Sequence, residues 1–429
     1  IIGGYQSAKN VITVGNFTPI GYLYHQSSKG PVRDGRIKPE IVAIGSFITS
    51  TSPPPFDYYW QNTGTSMASP AISGGLALLY EKYKMLHGVD PKNGLMKALV
   101  CNSGDDYGNP GPDYSHGFGL ANFQRALDML KNNRYQINSI APGPPQNINI
   151  TVPAGLAELK VMLYWNDPAA AAVASQTLVN NLDLEVIDPS SNIILPLILD
   201  TAYINIKNNA VQGIDNINNI EQVVIKNPPV GNYNIRIKPT NITQNPSQEY
   251  FVVYDFVPVE AKITTPVGGE TFIHGENVVI RWDSYGEPLN QFTLEFSSDD
   301  GATWSTLKNN IASNRRDYFY TTPDPNEWFV VPQVTTDKAR IRITRNGTAI
   351  THTSLPFVVH DTITATLSAV QCEGYFSIDW NNIPGATGYE VFRLIGDEMV
   401  SVASVSGSTF TYTFSGLSKD SVYWASVRP

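Results

Sequence analysis

Residues 64–70 read Gly-Thr-Ser-Met-Ala-Ser-Pro, and the apolar run from Ala71 to Tyr80 follows at once. This pairing predicts a buried helix whose first turn carries a serine. Gly64 permits a tight turn with close backbone approach, Ala68 leaves room beside the helix, and Pro70 is tolerated where an N–H has no intrahelical partner. Ser66 then sits where unpaired backbone N–H groups and the helix dipole favour negative charge. A serine hydroxyl becomes a nucleophile once a base takes its proton and donors stabilise the oxyanion, and the Ser66 amide can be one such donor. The plainer reading is a Ser/Thr cap on an ordinary core helix.

The segment resembles the nucleophile motif of the subtilisin-like serine proteases, Gly-Thr-Ser-Met-Ala-x-Pro, and matches it at every fixed position. Ala8–Gly15 is similar to a buried strand of that family. Ser27–Pro31 with Asp34–Ile41 is similar to its next loop and strand. Downstream, Gly94–Val100 and Ser115–Ala121 resemble the last helices and the glycine-rich turn that close a subtilase domain. One departure is visible: the family's Ala-Pro-Gly is Ala43-Ile44-Gly45 here. The resemblance implies a catalytic role for Ser66, with Gly64 and Thr65 supporting the nucleophile turn and oxyanion.

It also implies partners that this chain does not supply. In the family the order is Asp, His, then Ser, and only His25 precedes Ser66, in Tyr22-Leu23-Tyr24-His25-Gln26, without a His-Gly-Thr context. Asn10, Asn16 and Asn62 lack the surroundings of the family's oxyanion asparagine. The expectation is a C-terminal part of a longer polypeptide, with the Asp, His and Asn elements upstream or on another chain. His87, His116, His274, His352 and His360 show no His-Glu-x-x-His spacing and are read as structural or solvated.

At 429 residues the chain should hold several cores. A net charge of −9 without a Lys/Arg cluster argues against nucleic acid or an anionic membrane as the main partner. No apolar run is long enough to span a bilayer. The two cysteines, Cys101 and Cys372, lie too far apart in sequence to suggest a bridge. The expected location is secreted or at the cell surface, in a bacterium.

Beyond residue 135 the sequence turns to short alternating strands broken by Pro, Gly and Asn, including Leu159–Trp165 and Tyr233–Lys238. Leu178–Pro189 and Asn218–Ile225 resemble the C-terminal jelly roll of one alkaline branch of the subtilases. That branch implies structural calcium, for which Asp183, Asp200, Asp215, Asn219 and Glu221 offer hard oxygen ligands. The branch's Asn-Asp pair is Asn180-Asn181 here, so a retained site would be weaker; turn formation explains these residues equally well.

Residues 258–361 have the alternation of an immunoglobulin-like sandwich, with Asp299-Asp300-Gly301 as a hairpin turn. From 362 onward Phe376–Trp380 and Gly388–Arg393 resemble an incomplete fibronectin type III module. The expected fold is multidomain: 1–134, the C-terminal part of an α/β subtilase domain; 135–257, a jelly roll; 258–361, an Ig-like sandwich; 362–429, partial fibronectin type III. The expected function is a serine endopeptidase acting on proteins or peptides, with calcium as a structural cofactor and none for the chemistry. The alternative is a non-catalytic binding or spacer protein with a relic subtilase segment, its C-terminal modules attaching it to a surface or polysaccharide.

Overall fold

The computed structural model describes residues 2–19, 21–52, 58–286, 289–313, 317–318, 329–369, 371–418 and 420–429. The chain divides into two compact units, Ile1–Val259 and Glu260–Pro429.

In the first unit, β1 (Val14–Phe17) and β2 (Ile41–Ile44) form a parallel pair with Val14 opposite Ile41. The hairpin β3 (Ile48–Thr51) and β4 (Tyr59–Asn62) leads into α1 (Thr65–His87). Gly88 ends α1 with φ of 71° and donates its N–H to the Lys84 carbonyl, the left-handed stop that glycine adopts readily. α2 (Asn93–Asn102) and α3 (Phe123–Lys131) follow. Ala68, Ile72 and Leu79 of α1 share one core with Ile41 and Ala43 of β2 and with Leu95 and Leu99 of α2.

The strand-rich half of this unit runs β5 (Tyr135–Ile140), β6 (Gln146–Val152), β7 (Leu156–Tyr164), β8 (Asn181–Ile187), β9 (Ile193–Ile194), β10 (Leu197–Ile198), β11 (Val211–Gln212), β12 (Ile220–Lys226), β13 (Gly231–Asn241) and β14 (Gln248–Pro258). Two antiparallel sheets, in orders β12-β7-β14-β5 and β6-β13-β8-β9, enclose a core of Leu159, Val161, Leu163, Leu184, Ile235 and Val252. The other face of the first sheet is covered too. Met162, Tyr164, Phe251 and Val253 belong to the same core as the helices.

β7 and β14 are therefore buried on both faces, which accounts for the unbroken apolar run Val161–Trp165. The sequence alone reads β7 as a half-exposed alternating strand. The core is continuous across residue 134, where composition marks a boundary. A Cβ on Gly94 would meet the Phe251 ring at 2.1 Å, so α2 rests directly on β14. The Arg125–Asp255 ion pair, 2.6 Å long and buried, joins α3 to the same strand.

The second unit holds two further cores. Trp282, Phe292, Phe296 and Phe357 form one, inside strands that include Glu260–Thr265, Ile280–Tyr285, Phe292–Ser297 and Thr336–Arg345. The 299–301 turn is closed by Asp299, which accepts from the Thr303 amide at 2.8 Å; hydrogen bonds from Thr303 and Ser297 hold its carboxyl down to about 2. Beyond residue 361, two three-stranded antiparallel sheets enclose Ile378, Trp380, Tyr389, Val391 and Phe414. Among the described residues no helix is long and apolar enough to cross a membrane.

Candidate active site and a cluster of buried carboxylates

The end of β2 fixes the start of α1. Gly64 donates its N–H to the Gly45 carbonyl at 2.9 Å, and the Gly64 carbonyl accepts from Met67 at 3.0 Å and from Ala68 at 3.3 Å. A Cβ on Gly45 would stand 2.6 Å from the Gly64 oxygen and 2.7 Å from both the Ala68 Cβ and amide nitrogen. Glycine is required there because helix and strand touch backbone to backbone. The departure at Ile44 leaves this contact intact.

Ser66 follows in the first turn, exposed, and its hydroxyl has no hydrogen-bond partner among the described residues. Its amide lies among the first-turn N–H groups that lack an intrahelical acceptor, so an anion beside it gains from both the donor and the dipole. The arrangement presents a free hydroxyl beside an oxyanion donor. Deprotonation is the part it does not supply.

The other sequence candidates are committed elsewhere. His25 is exposed, with its ring 4.5 Å from that of Tyr24. Asn10 exchanges hydrogen bonds with the Asp167 backbone, at 3.0 and 3.2 Å, and accepts from Asn219. Asn16 is buried and accepts from Ser46 at 3.2 Å, while Asn62 accepts from the Thr63 amide at 2.8 Å. His87 caps the last turn of α1 and meets the Tyr135 hydroxyl at 2.9 Å. His116 lies against Asp113, whose carboxyl it helps hold below the usual range despite burial.

The five residues expected to bind calcium do not come together as a set. Asp200 is exposed and closes its own turn, accepting from Ala202 at 2.8 Å and Asn205 at 2.7 Å. Asn219 spends its amide on the Trp165 carbonyl, at 2.7 Å, and on Asn10. Asn180 is fully buried with both ends satisfied by the 243–248 segment.

Asp183, Asp215 and Glu221 do converge, lining one small cavity with Glu185 and Lys238. Burial, reinforced by the neighbouring carboxylates, pushes Glu221 well above the usual carboxylate range and raises Asp215. Among the described residues no three His, Cys, Asp or Glu side chains already enclose a metal position. Of the five residues expected as ligands, Asp183, Asp215 and Glu221 line this cavity and Asp200 and Asn219 do not. Asp183 Oδ1 and Glu221 Oε1 are buried without a hydrogen-bond partner.

Sequence reading missed a buried charge cluster at the start of β2, the end of that strand away from Gly45. Glu40 accepts from the Thr13 amide at 2.8 Å and from Lys97 at 2.7 Å, and it pairs with Lys38, all three side chains being buried. Burial pushes Lys38 down to about 8, against the pull of Glu40. Lys38-Pro39-Glu40 directly before the apolar run Ile41–Ile44 was the available signal.

The subtilase family model matches residues 3–119. Over these residues the chain is similar to the subtilase family. The chain is 27% identical over 264 residues to the serine protease/ABC transporter B family protein tagA of Dictyostelium discoideum, covering 53% of this chain and 15% of that protein. Pyrolysin of Pyrococcus furiosus is 35% identical over 111 residues, 24% of this chain and 8% of pyrolysin. The minor extracellular protease Vpr of Bacillus subtilis is 37% identical over 106 residues, 24% of this chain and 13% of Vpr. The chain spans only a small part of the length of each relative.

Proposed function

We propose that this chain is the nucleophile-bearing part of a secreted subtilisin-like serine endopeptidase. In this reading Ser66 attacks the scissile carbonyl, its amide holds the oxyanion together with an asparagine, and a His–Asp pair moves the proton. The asparagine, histidine and aspartate come from polypeptide upstream of Ile1. The observation that carries the reading is the unpartnered Ser66 hydroxyl at the mouth of α1, set by Gly45 and Gly64.

Two features of the fold support an upstream half. The pair β1–β2 is a two-stranded parallel sheet, whereas parallel strands ordinarily sit inside larger sheets covered on both faces. The side of α1 that bears Ser66 is open and largely apolar, with Pro70, Ala71, Gly74 and Ala77 exposed and Leu78 67% exposed. An apolar helix face of this kind calls for a covering layer. Protein or peptide substrates follow from the family, and the extracellular protease Vpr among the relatives supports secretion.

The test is the coding sequence directly upstream. An Asp-x-Gly strand, a His-Gly-Thr helix and an asparagine-bearing strand, in that order, are expected. A complete reading frame without them contradicts the reading and leaves a non-catalytic binding or spacer protein.

A further inference from the structure

We propose that Lys38, Glu40 and Lys97 form a proton-operated lock that holds the segment before β1 more tightly in alkaline than in neutral medium. The proposal is independent of the peptidase reading.

Two buried ammonium groups compete here for one carboxylate. Lys97, on α2, spends its three N–H donors on three oxygens: Glu40 Oε1 at 2.7 Å, the Val11 carbonyl at 2.8 Å and the Lys9 carbonyl at 2.9 Å. Lys38 draws on the same set. It pairs with Glu40 Oε1 and stands 3.2 Å from both the Val11 carbonyl and the Thr13 hydroxyl oxygen. The other Glu40 oxygen accepts from the Thr13 amide at 2.8 Å. The three side chains are at most 3% exposed, so water screens the two like charges little.

The cluster carries one cation too many. Its other charged neighbours are already paired, Lys9 with Asp167 and Arg36 with Asp34 at 2.7 Å. Burial pushes the Cys101 thiol of α2 up to about 12 and raises the phenol of Tyr164 on β7, whose ring lies 4.9 Å from the Lys97 Nζ, so both stay uncharged in mildly alkaline medium. Two of the three Lys38 contacts are the long ones, which makes Lys38 the group that gives up its proton. Burial, with the Lys97 charge nearby, already brings it down to about 8 against the pull of Glu40. As an amine Lys38 keeps two N–H groups for the same acceptors, and a balanced Lys97–Glu40 pair remains.

Below pH 8 both ammonium groups are buried, and the excess charge weakens the folded form. Between pH 8 and about 10.4, the ordinary lysine value, folded Lys38 is neutral while unfolded Lys38 still holds its proton. The unfolded chain then binds more protons, so stability climbs with pH. Residues 9–13, whose carbonyl and hydroxyl oxygens the two lysines hold, tighten over that window.

The experiment is urea unfolding of the 429-residue chain at pH 7, 8 and 9.5, with brief proteolysis and mass spectrometry following peptides of the first unit. Wild type is compared at each pH with Lys38→Met and Lys97→Met, so that titrations elsewhere cancel. Between pH 7 and 9.5 the folded-to-unfolded ratio of the wild type is expected to rise at least about tenfold more than that of Lys38→Met. Lys97→Met balances the cluster by the other route. It is expected to lose the same rise while being less stable at every pH, since its hydrogen bonds to the Lys9 and Val11 carbonyls go with it. A purely structural role for the lysines would change stability by one factor at all three pH values. That outcome, an equal rise in the wild type and the variants, overturns the proposal.

Discussion

The Gly64 N–H and the Gly45 carbonyl are 2.9 Å apart, and that bond joins the last residue of the β2 corner to the residue before the Ser66 helix. Because Gly45 has no side chain, the strand end and the helix start approach backbone to backbone. The position of Ser66 is therefore set by backbone contact with the sheet rather than by the β3–β4 hairpin that precedes it.

Gly74 and Gly75, adjacent in α1, should respond oppositely to the same substitution. A Cβ on Gly74 meets nothing within 4 Å, so Gly74→Ala gains helix propensity, roughly 1 kcal/mol or 2 to 4 °C in melting temperature. A Cβ on Gly75 would lie 2.2 Å from the Phe123 ring, and overpacking costs about 1 to 3 kcal/mol, more than the propensity gain. Thermal melts of the two variants check this. A stabilised Gly75→Ala would show that α1 and α3 do not approach as described.

The two cysteines should separate by reactivity. Cys101 is buried in α2, where desolvation pushes its thiol up to about 12, while Cys372 is exposed. Since the thiolate is the reacting form, iodoacetamide at pH 8 is expected to modify one cysteine in the folded chain and both in guanidinium. Mass spectrometry of the digests reads the outcome. Rapid modification of Cys101 in the folded chain would contradict the shared core beneath α2.

Arg125→Ala should destabilise the first unit by about 3 kcal/mol, since among the described residues it leaves the buried Asp255 carboxylate with Arg134, 3.7 Å away, as its remaining cation. Arg134→Ala should cost less, because the tighter pair remains. Urea unfolding of both variants gives the comparison, and an equal or smaller loss for Arg125→Ala would remove this pair from the joint between α3 and β14.

Local signals were legible and distant partners were not. Gly64 marked the start of α1 from sequence alone, because turn preferences act within a few residues, whereas Pro70, expected where an N–H has no intrahelical partner, lies inside the helix at its sixth residue. The hairpin at 299–301 followed from the same kind of signal. Gly75 and Gly94 gave no hint that they lie under Phe123 and Phe251, residues far along the chain. The double burial of β7 was hidden for the same reason, since only the tertiary fold brings helices onto its second face. In the carboxylate cluster, nothing local distinguished Asp183, Asp215 and Glu221 from Asp200.

The account rests on Ser66 as the nucleophile, and active-site labelling tests it most directly. The chain, expressed together with its upstream polypeptide, is treated with a fluorophosphonate and digested, and the modified residue is located by mass spectrometry. A single adduct on Ser66 that disappears when its histidine base is replaced is the expected result. An adduct on another residue, or peptidase activity that survives Ser66→Ala, would contradict it.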